Sequence, residues 1–315
     1  MFNNIYGNYY PKKLIESLIK KDRIVHTIII NGENGLGKLT FAKNIASQIV
    51  YNQPYTQNIN NYIDINIING NDTGSILINN IREIKNSINN TPHEGKKKVQ
   101  IIANCDKMTI QAQNALLKTI EEPPNGVYIL LLTTSLESLL DTIKSRCQIY
   151  KLTPLNKEEM INFINLNYEV SEKQISSLLA YSEGIPGRVE KFLNDHKLQS
   201  LRNLIIDMLK DINKNEVDIT LKYEKLFYHY KDEKEELLNI ISSFVRDIIL
   251  YKEIDDKRLI INSDKNKDIE ELVQMMSYRK LNGMLKYIDE ARTNLKQNIN
   301  FSMTISIMLM GFLEV

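Results

Sequence analysis

The sequence of 315 residues has no tryptophan, only two cysteines and four histidines, and a net charge of only +1. Cys105 and Cys147 form no Cys-x-x-Cys pattern, and the histidines are scattered, so no zinc site is expected. Two cysteines without a signal-peptide pattern predict free thiols in a reducing, cytoplasmic compartment. Because the chain is nearly neutral, any contact with nucleic acid must come from a local patch of positive charge.

Long apolar runs are also missing, so the sequence predicts no membrane-spanning helix. The two most apolar segments are VYILLLTTS, residues 127–135, and MTISIMLMGFL, residues 303–313. The hydrophobic fraction of 43% and the charged fraction of 25% are ordinary for a folded globular chain. The length is sufficient for two or three domains.

The order of apolar runs and helical patterns predicts an α/β domain followed by helices alone. Predicted strands at 27–30, 62–70, 99–103, 127–135 and 149–152 alternate with predicted helices at 13–23, 38–50, 75–90 and 109–122. This alternation over residues 1–155 is typical of a mainly parallel sheet covered on both faces. The apolar pattern of residues 156–199 predicts a small set of helices with a break at 184–187. The pattern of residues 200–315 predicts longer helices with a polar break at 261–268.

A glycine-rich loop, GENGLGK, follows the first predicted strand at residues 32–38. In such a loop the backbone N–H groups hold phosphate and the lysine balances its charge. The residues able to bind ATP or ADP in this way are Gly32, Gly35, Gly37 and Lys38. The magnesium-binding Ser or Thr expected after the lysine is replaced by Leu39, and Thr40 points roughly 100° away on the helix. Either the glycines only preserve the shape of the turn, or nucleotide still binds without its metal ligand.

Four further motifs follow this loop in a fixed order. They are KVQIIANCDKMTIQAQNALLKTIEEPP at 98–124, LLLTTSLESLLDTIKSRCQIYKL at 130–152, GIPGR at 184–188 and DEARTNLKQNINFSMTISIMLM at 289–310. With them the chain resembles AAA+ clamp-loader subunits over nearly its whole length, most closely the delta-prime branch of the bacterial DNA polymerase III clamp-loader family. The resemblance implies a RecA-like AAA+ core domain at 1–155, a small helical lid at 156–199 and a helical collar for oligomerisation at 200–315.

The resemblance also indicates where the ATP-hydrolysing members of the family carry an Asp for magnesium and a Glu that orients the attacking water. Those positions are Ala103 and Asn104 here, and neither residue can do the corresponding chemistry. Asp106 is the nearest carboxylate, and we expect it to cap the following helix. Phosphoryl transfer depends on positioning and on charge stabilisation, so these replacements together with Leu39 predict no intrinsic ATPase activity.

Two arginines have implied roles in the same family. Arg146, in the Ser-Arg-Cys triplet, would reach a neighbouring subunit's ATP and act in trans, with an ordinary surface arginine as the alternative. Arg188 holds the position of a nucleotide sensor in the lid, and a purely structural role is equally open. Thr133, Thr134 and Ser135 occupy a sensor position at a strand end, where we expect them to cap the strand.

The expected function is that of a non-hydrolysing, stator-like subunit of the DNA polymerase III sliding-clamp loader. The implied partners are the catalytic gamma/tau subunits and a delta subunit in a heteropentamer, with primed DNA bound through the assembled complex. The family's zinc module is replaced by the Asn-rich segment 51–72. The lysine pairs at 12–13 and 20–21 and the run at 96–98 could contact phosphate or simply be solvated. The alternatives are an active clamp-loader ATPase and a stand-alone P-loop enzyme such as a nucleotide kinase.

Overall fold

The computed structural model describes residues 2, 4–55, 63–69, 75–89, 97–212, 218–254 and 260–315. Its strands are β1 Thr27–Asn31, β2 Ile65–Ile68, β3 Lys98–Ile102, β4 Val127–Thr133 and β5 Gln148–Lys151. Its helices are α1 Tyr9–Lys20, α2 Lys38–Tyr51, α3 Ile78–Asn89, α4 Ile110–Glu121, α5 Asp141–Lys144, α6 Lys157–Asn167, α7 Glu172–Ser182, α8 Pro186–Asn194, α9 His196–Asp211, α10 Ile219–Tyr228, α11 Lys234–Ile254, α12 Asn266–Met275, α13 Tyr278–Lys296 and α14 Phe301–Glu314.

The described residues form two compact units. The first runs to Phe163 and includes Gly184–Gly187, and the second consists of Ile164–Glu183 and Arg188–Val315. The first unit holds a five-stranded parallel sheet in the order β2-β3-β4-β1-β5. Every residue of β4 is buried, as expected for a central strand of a parallel sheet covered on both faces.

Alternation along the strands divides the core of the first unit between the two faces of the sheet. Ile28 and Ile30 pack with the apolar side chains of α2, whereas Ile29 packs on the other face with those of α3 and α4. The carboxyl ends of β1, β3 and β4 lie along one edge of this sheet, because neighbouring strands are parallel and in register. That edge carries the glycine loop, Ala103–Asp106 and Thr133.

The second unit is helical, with a single apolar core shared by α9 to α14. A buried arginine, Arg202, is 1% exposed and donates to both carboxylate oxygens of Asp264 and to the Asn262 side chain. Its guanidinium also lies 4.4 Å from the centre of the Phe192 ring. A buried charge requires such pairing, so this network fixes the segment before α12 against α9.

The predicted fold class is confirmed: a domain with a parallel sheet covered by helices is followed by helices alone. The predicted helix at 13–23 begins earlier, at Tyr9, because Pro11 is tolerated within a first helical turn. The domain boundaries after residues 155 and 199 stay predictions. Much of the Asn-rich segment, residues 56–62 and 70–72, lies outside the described residues. Among the described helices, none is both long enough and apolar enough to span a membrane.

Candidate functional site

The glycine loop joins β1 to α2 through backbone conformations that suit glycine. Gly35 has φ of 90° and Gly37 has φ of 83°, both in the left-handed region where other residues are strained. A Cβ atom on Gly32 would lie 3.0 Å from the carbonyl oxygen of Leu152. The turn therefore requires these glycines for its shape, whether or not phosphate binds there.

Lys38 is the first residue of α2, and its side chain turns back into the loop. Its Nζ atom donates to the carbonyl oxygens of Gly32 at 2.6 Å and Glu33 at 2.9 Å. The side chain is buried, and burial lowers the pKa of its ammonium group, while the negative charge of Asp106 acts in the opposite direction. The structure thus brings Gly32, Gly35, Gly37 and Lys38 together as predicted, with the lysine bonded to its own loop.

Residues 184–187 lie directly against the glycine loop, a contact that the sequence did not reveal. The Gly187 N–H donates to the Gly35 carbonyl at 2.9 Å, and a Cβ on Gly187 would lie only 2.7 Å from the Gly35 Cα. Ile185 is 1% exposed, and a Cβ on Gly35 would lie 2.8 Å from its Cγ2 atom. The glycines of the two segments allow their backbones to meet, and no periodic pattern in the sequence predicts such a contact.

The segment after β3 corrects the predicted role of Asp106. Thr109 caps α4, accepting from the Ala112 N–H at 3.2 Å. Asp106 accepts instead from the Thr133 hydroxyl at 3.3 Å and the Thr134 N–H at 3.2 Å. The strand β3 ends at Ile102, and the backbone then turns at Asn104, which has a left-handed φ of 53°. The carboxylate is thereby directed to the end of β4.

Two residues stand at the positions that the resemblance assigns to the metal ligand and to the residue that orients water. Ala103 is 8% exposed and has no ligand atom, and the Asn104 amide donates to the Asn69 side chain at 2.8 Å. The Thr133 hydroxyl accepts from the Ser135 N–H at 3.1 Å, which is the predicted strand-end capping. In the part of the chain that the structure describes, no three His, Cys, Asp or Glu side chains are close enough to hold a metal ion.

Arg146 follows α5 and is engaged by a carboxylate of its own chain. Its Nε atom lies 2.8 Å from Oε1 of Glu121, and its Nη1 atom donates to the Thr142 carbonyl at 3.0 Å. The side chain remains 42% exposed. The paired surface arginine that the sequence left open as an alternative therefore exists within this chain. The pairing leaves the predicted role in trans untested.

Arg188 lies in the first turn of α8 and pairs with Glu183, the C-cap residue of α7. This ion pair connects two neighbouring helices of the second unit. Its predicted role as a nucleotide sensor stays a prediction.

The lysine clusters differ in how accessible they are. Lys97 pairs with Asp22 at 2.8 Å, whereas Lys98 is 6% exposed and donates to the Ser87 carbonyl. Lys98 is therefore unavailable to phosphate, and Lys96 lies outside the described residues. Lys13, Lys20 and Lys21 are exposed.

Sequence reasoning missed Gln113 of α4, which is 2% exposed. Its Nε2 atom donates to the carbonyls of Met108 and Ser138, and its Oε1 atom accepts from the Leu140 N–H at 2.9 Å. These bonds connect α4 to the loop that leads into α5 and Arg146. The only signal in the sequence is a polar residue next to the apolar face of this helix.

Comparison with known proteins gives consistent matches. The family models described as "DNA polymerase III, delta subunit" and "DNA polymerase III, delta subunit, C terminal" match residues 8–156 and 196–313. The delta' subunit of Bacillus subtilis DNA polymerase III is 25% identical over 302 residues, which cover 91% of each chain. The gamma subunit from Buchnera aphidicola of Schizaphis graminum is 32% identical over 173 residues, 52% of this chain and 48% of the relative. The chain thus spans about half the length of that gamma subunit.

A solved structure supports the fold assignment. A gamma subunit-related protein from Thermotoga maritima has a TM-score of 0.52 and 19% identity, covering 95% of this chain and 98% of its own.

Proposed function

Because the chain belongs to the DNA polymerase III delta-subunit family of clamp-loader proteins, we propose that it serves as a non-hydrolysing, stator-like subunit that completes a neighbour's ATP site. The observation that carries this proposal is the contrast between two cations. Lys38 is buried in the glycine loop, whereas Arg146 is 42% exposed at the end of α5. Arg146 is thus an accessible, permanently charged group in a chain whose own site lacks the hydrolytic residues.

The absence of intrinsic hydrolysis follows from what stands at the catalytic positions. Leu39 offers no hydroxyl to magnesium, and Ala103 offers no carboxylate. Asn104 cannot act as a base, and its amide is bonded to Asn69. Asp106 is held by the Thr133 hydroxyl and the Thr134 N–H. Without the metal and the oriented water, the loop is left to shape the fold, with weak metal-free binding of ATP or ADP as the most it retains.

Arg146 supplies the chemistry of the proposal. A guanidinium is always charged and presents a planar set of donors that suits phosphate oxygens. An arginine that reaches the phosphate bound by a neighbouring subunit raises the rate of hydrolysis by a factor on the order of 10³–10⁵ in enzymes where its effect has been measured. In this proposal the neighbours are gamma/tau and delta subunits of a cytoplasmic heteropentamer. Residues 156–199 form a lid, 200–315 form the collar that joins the subunits, and primed DNA is bound by the whole assembly.

The test is the ATPase activity of a clamp loader reconstituted from this chain and the gamma and delta subunits of the same genome. Arg146→Ala should leave assembly on a sizing column intact and lower ATP turnover at least fivefold, because a phosphate-binding cation is lost at one shared site. Arg23→Ala, which removes another exposed arginine of the first unit, is the matched control and should change turnover less than twofold.

Unchanged turnover of the Arg146→Ala complex would contradict the proposal. So would ATP hydrolysis by the purified chain alone that Lys38→Ala abolishes, since that would show an active site in this chain.

A further inference from the structure

Glu121 occupies a position that its own helix disfavours. It is the last residue of α4, where the partial negative charge of the helix end repels a carboxylate. Its side chain is 45% exposed, so burial does not force it there. The partner that offsets the repulsion is Arg146, whose Nε atom lies 2.8 Å from Oε1 of Glu121.

The contacts of Arg146 engage two of the three nitrogen atoms of its guanidinium. Nε is held by Glu121, while Nη1 donates to the Thr142 carbonyl at 3.0 Å and to the Ser145 hydroxyl at 3.3 Å. Thr142 lies in α5, and carbonyls in the last turn of a helix have no intrahelical partner. Within the described residues, Nη2 makes no hydrogen bond, so two of the five N–H donors remain available.

We propose that Glu121 is a positioning residue that orients Arg146 towards the phosphate of a neighbouring subunit. The inference rests on the proposed function of Arg146 in trans. A free arginine side chain loses much rotamer freedom when it binds, and a side chain already held by α4 and α5 loses less. Glu121 holds Nε and the Thr142 carbonyl holds Nη1, which leaves Nη2 to meet the phosphate oxygens.

A merely structural role for this ion pair predicts a different outcome. Pairs between exposed side chains contribute little to stability, so removal of Glu121 should hardly change the unfolding of the chain. A positioning role predicts that the same removal lowers the turnover of the shared ATP site. The two roles are therefore separated by measuring stability and kcat on the same variants.

The experiment uses the reconstituted complex with saturating ATP and records kcat, KM for ATP and the thermal midpoint of the chain. Glu121→Ala should lower kcat threefold or more, with KM changed less than twofold and the midpoint nearly unchanged. Glu121→Gln keeps an acceptor oxygen for the Nε–H and should recover at least half of the wild-type kcat. The matched control is Glu122→Ala, the adjacent exposed carboxylate, which should match the wild type.

The outcomes separate this inference from the function on which it rests. If Arg146→Ala lowers kcat and Glu121→Ala does not, Glu121 has no positioning role and the trans function of Arg146 stands. A higher kcat for Glu121→Ala would show that Glu121 restrains the arginine, which also overturns the inference. If Arg146→Ala has no effect, the proposed function itself fails. If the Glu121→Ala complex does not assemble, Glu121→Asp is measured in its place. This variant keeps the negative charge on a side chain that is one methylene shorter and so misplaces Arg146. A wild-type kcat for Glu121→Asp would contradict the inference.

Discussion

At the scale of single residues, the end of β4 depends on one hydroxyl. The Thr133 hydroxyl shares its one proton between Asp106 and the Ser135 carbonyl and accepts from the Ser135 N–H. Thr133→Val keeps the shape and removes these bonds at a fully buried position. We expect the free energy of unfolding to fall by about 1–3 kcal/mol, because buried polar groups lose their partner. Urea denaturation of the purified chain measures the change.

Thr134→Val is the natural control for this experiment. The adjacent threonine is exposed and reaches Asp106 only through its backbone N–H, which the substitution keeps. Its effect should stay within about 0.5 kcal/mol. Equal losses for the two variants would show that the Thr133 hydroxyl does not hold this site together.

The residue scale is also where prediction from sequence was least complete. The glycines, Lys38 and Arg146 carry recognisable motifs, so they could be found in advance. The role of Asp106 could not, because it depends on a left-handed residue at Asn104 that ends the alternation of the strand. Gln113 was missed because its partners are backbone groups of a distant loop, and backbone groups leave no mark on the sequence.

At the scale of elements, the strands of the first unit were predictable because long apolar runs mark buried parallel strands. The ends of helices were less predictable than the strands. The helix α5, for example, has only four residues, too few to show the helical repeat of apolar residues. The contact between residues 184–187 and the glycine loop joins segments about 150 residues apart, so only the fold reveals it. It gives the glycine loop a structural task that does not depend on bound phosphate.

This contact predicts the effect of Gly187→Ala. The added Cβ would meet the backbone of Gly35 at 2.7 Å, so one of the two segments must move. We expect a loss of about 1–3 kcal/mol, as for other overpacked sites. Hydrogen exchange should show faster exchange of the residue 187 amide, whose bond to the Gly35 carbonyl is broken.

Gly37→Ala provides the comparison, since nothing lies within 4 Å of a Cβ at that position. It strains the backbone of its own residue and should leave the residue 187 amide protected. An unchanged exchange rate in Gly187→Ala would contradict the docking of residues 184–187 on the loop.

At the scale of the whole molecule, both cysteines belong to the first unit, and this makes them a selective probe. Cys105 is buried, and desolvation raises the pKa of the Cys147 thiol to about 12. Cys147 is only half-buried, but a thiol with a raised pKa carries little reactive thiolate near pH 8, so labelling of both cysteines should be slow until the first unit unfolds. Far-UV circular dichroism reports mainly the helices, and most of the helical residues lie in the second unit, with the remainder mainly in α1 to α6.

Two compact units with separate apolar cores predict that these two probes give different unfolding curves in urea. Thr133→Val should lower the midpoint of thiol labelling more than that of ellipticity. Asp247→Ala should do the reverse, because the buried Asp247 carboxylate accepts from the backbone N–H groups of Ile261 and Asn262 in the second unit. Coincident curves that both substitutions shift equally would mean that the chain unfolds as one cooperative body.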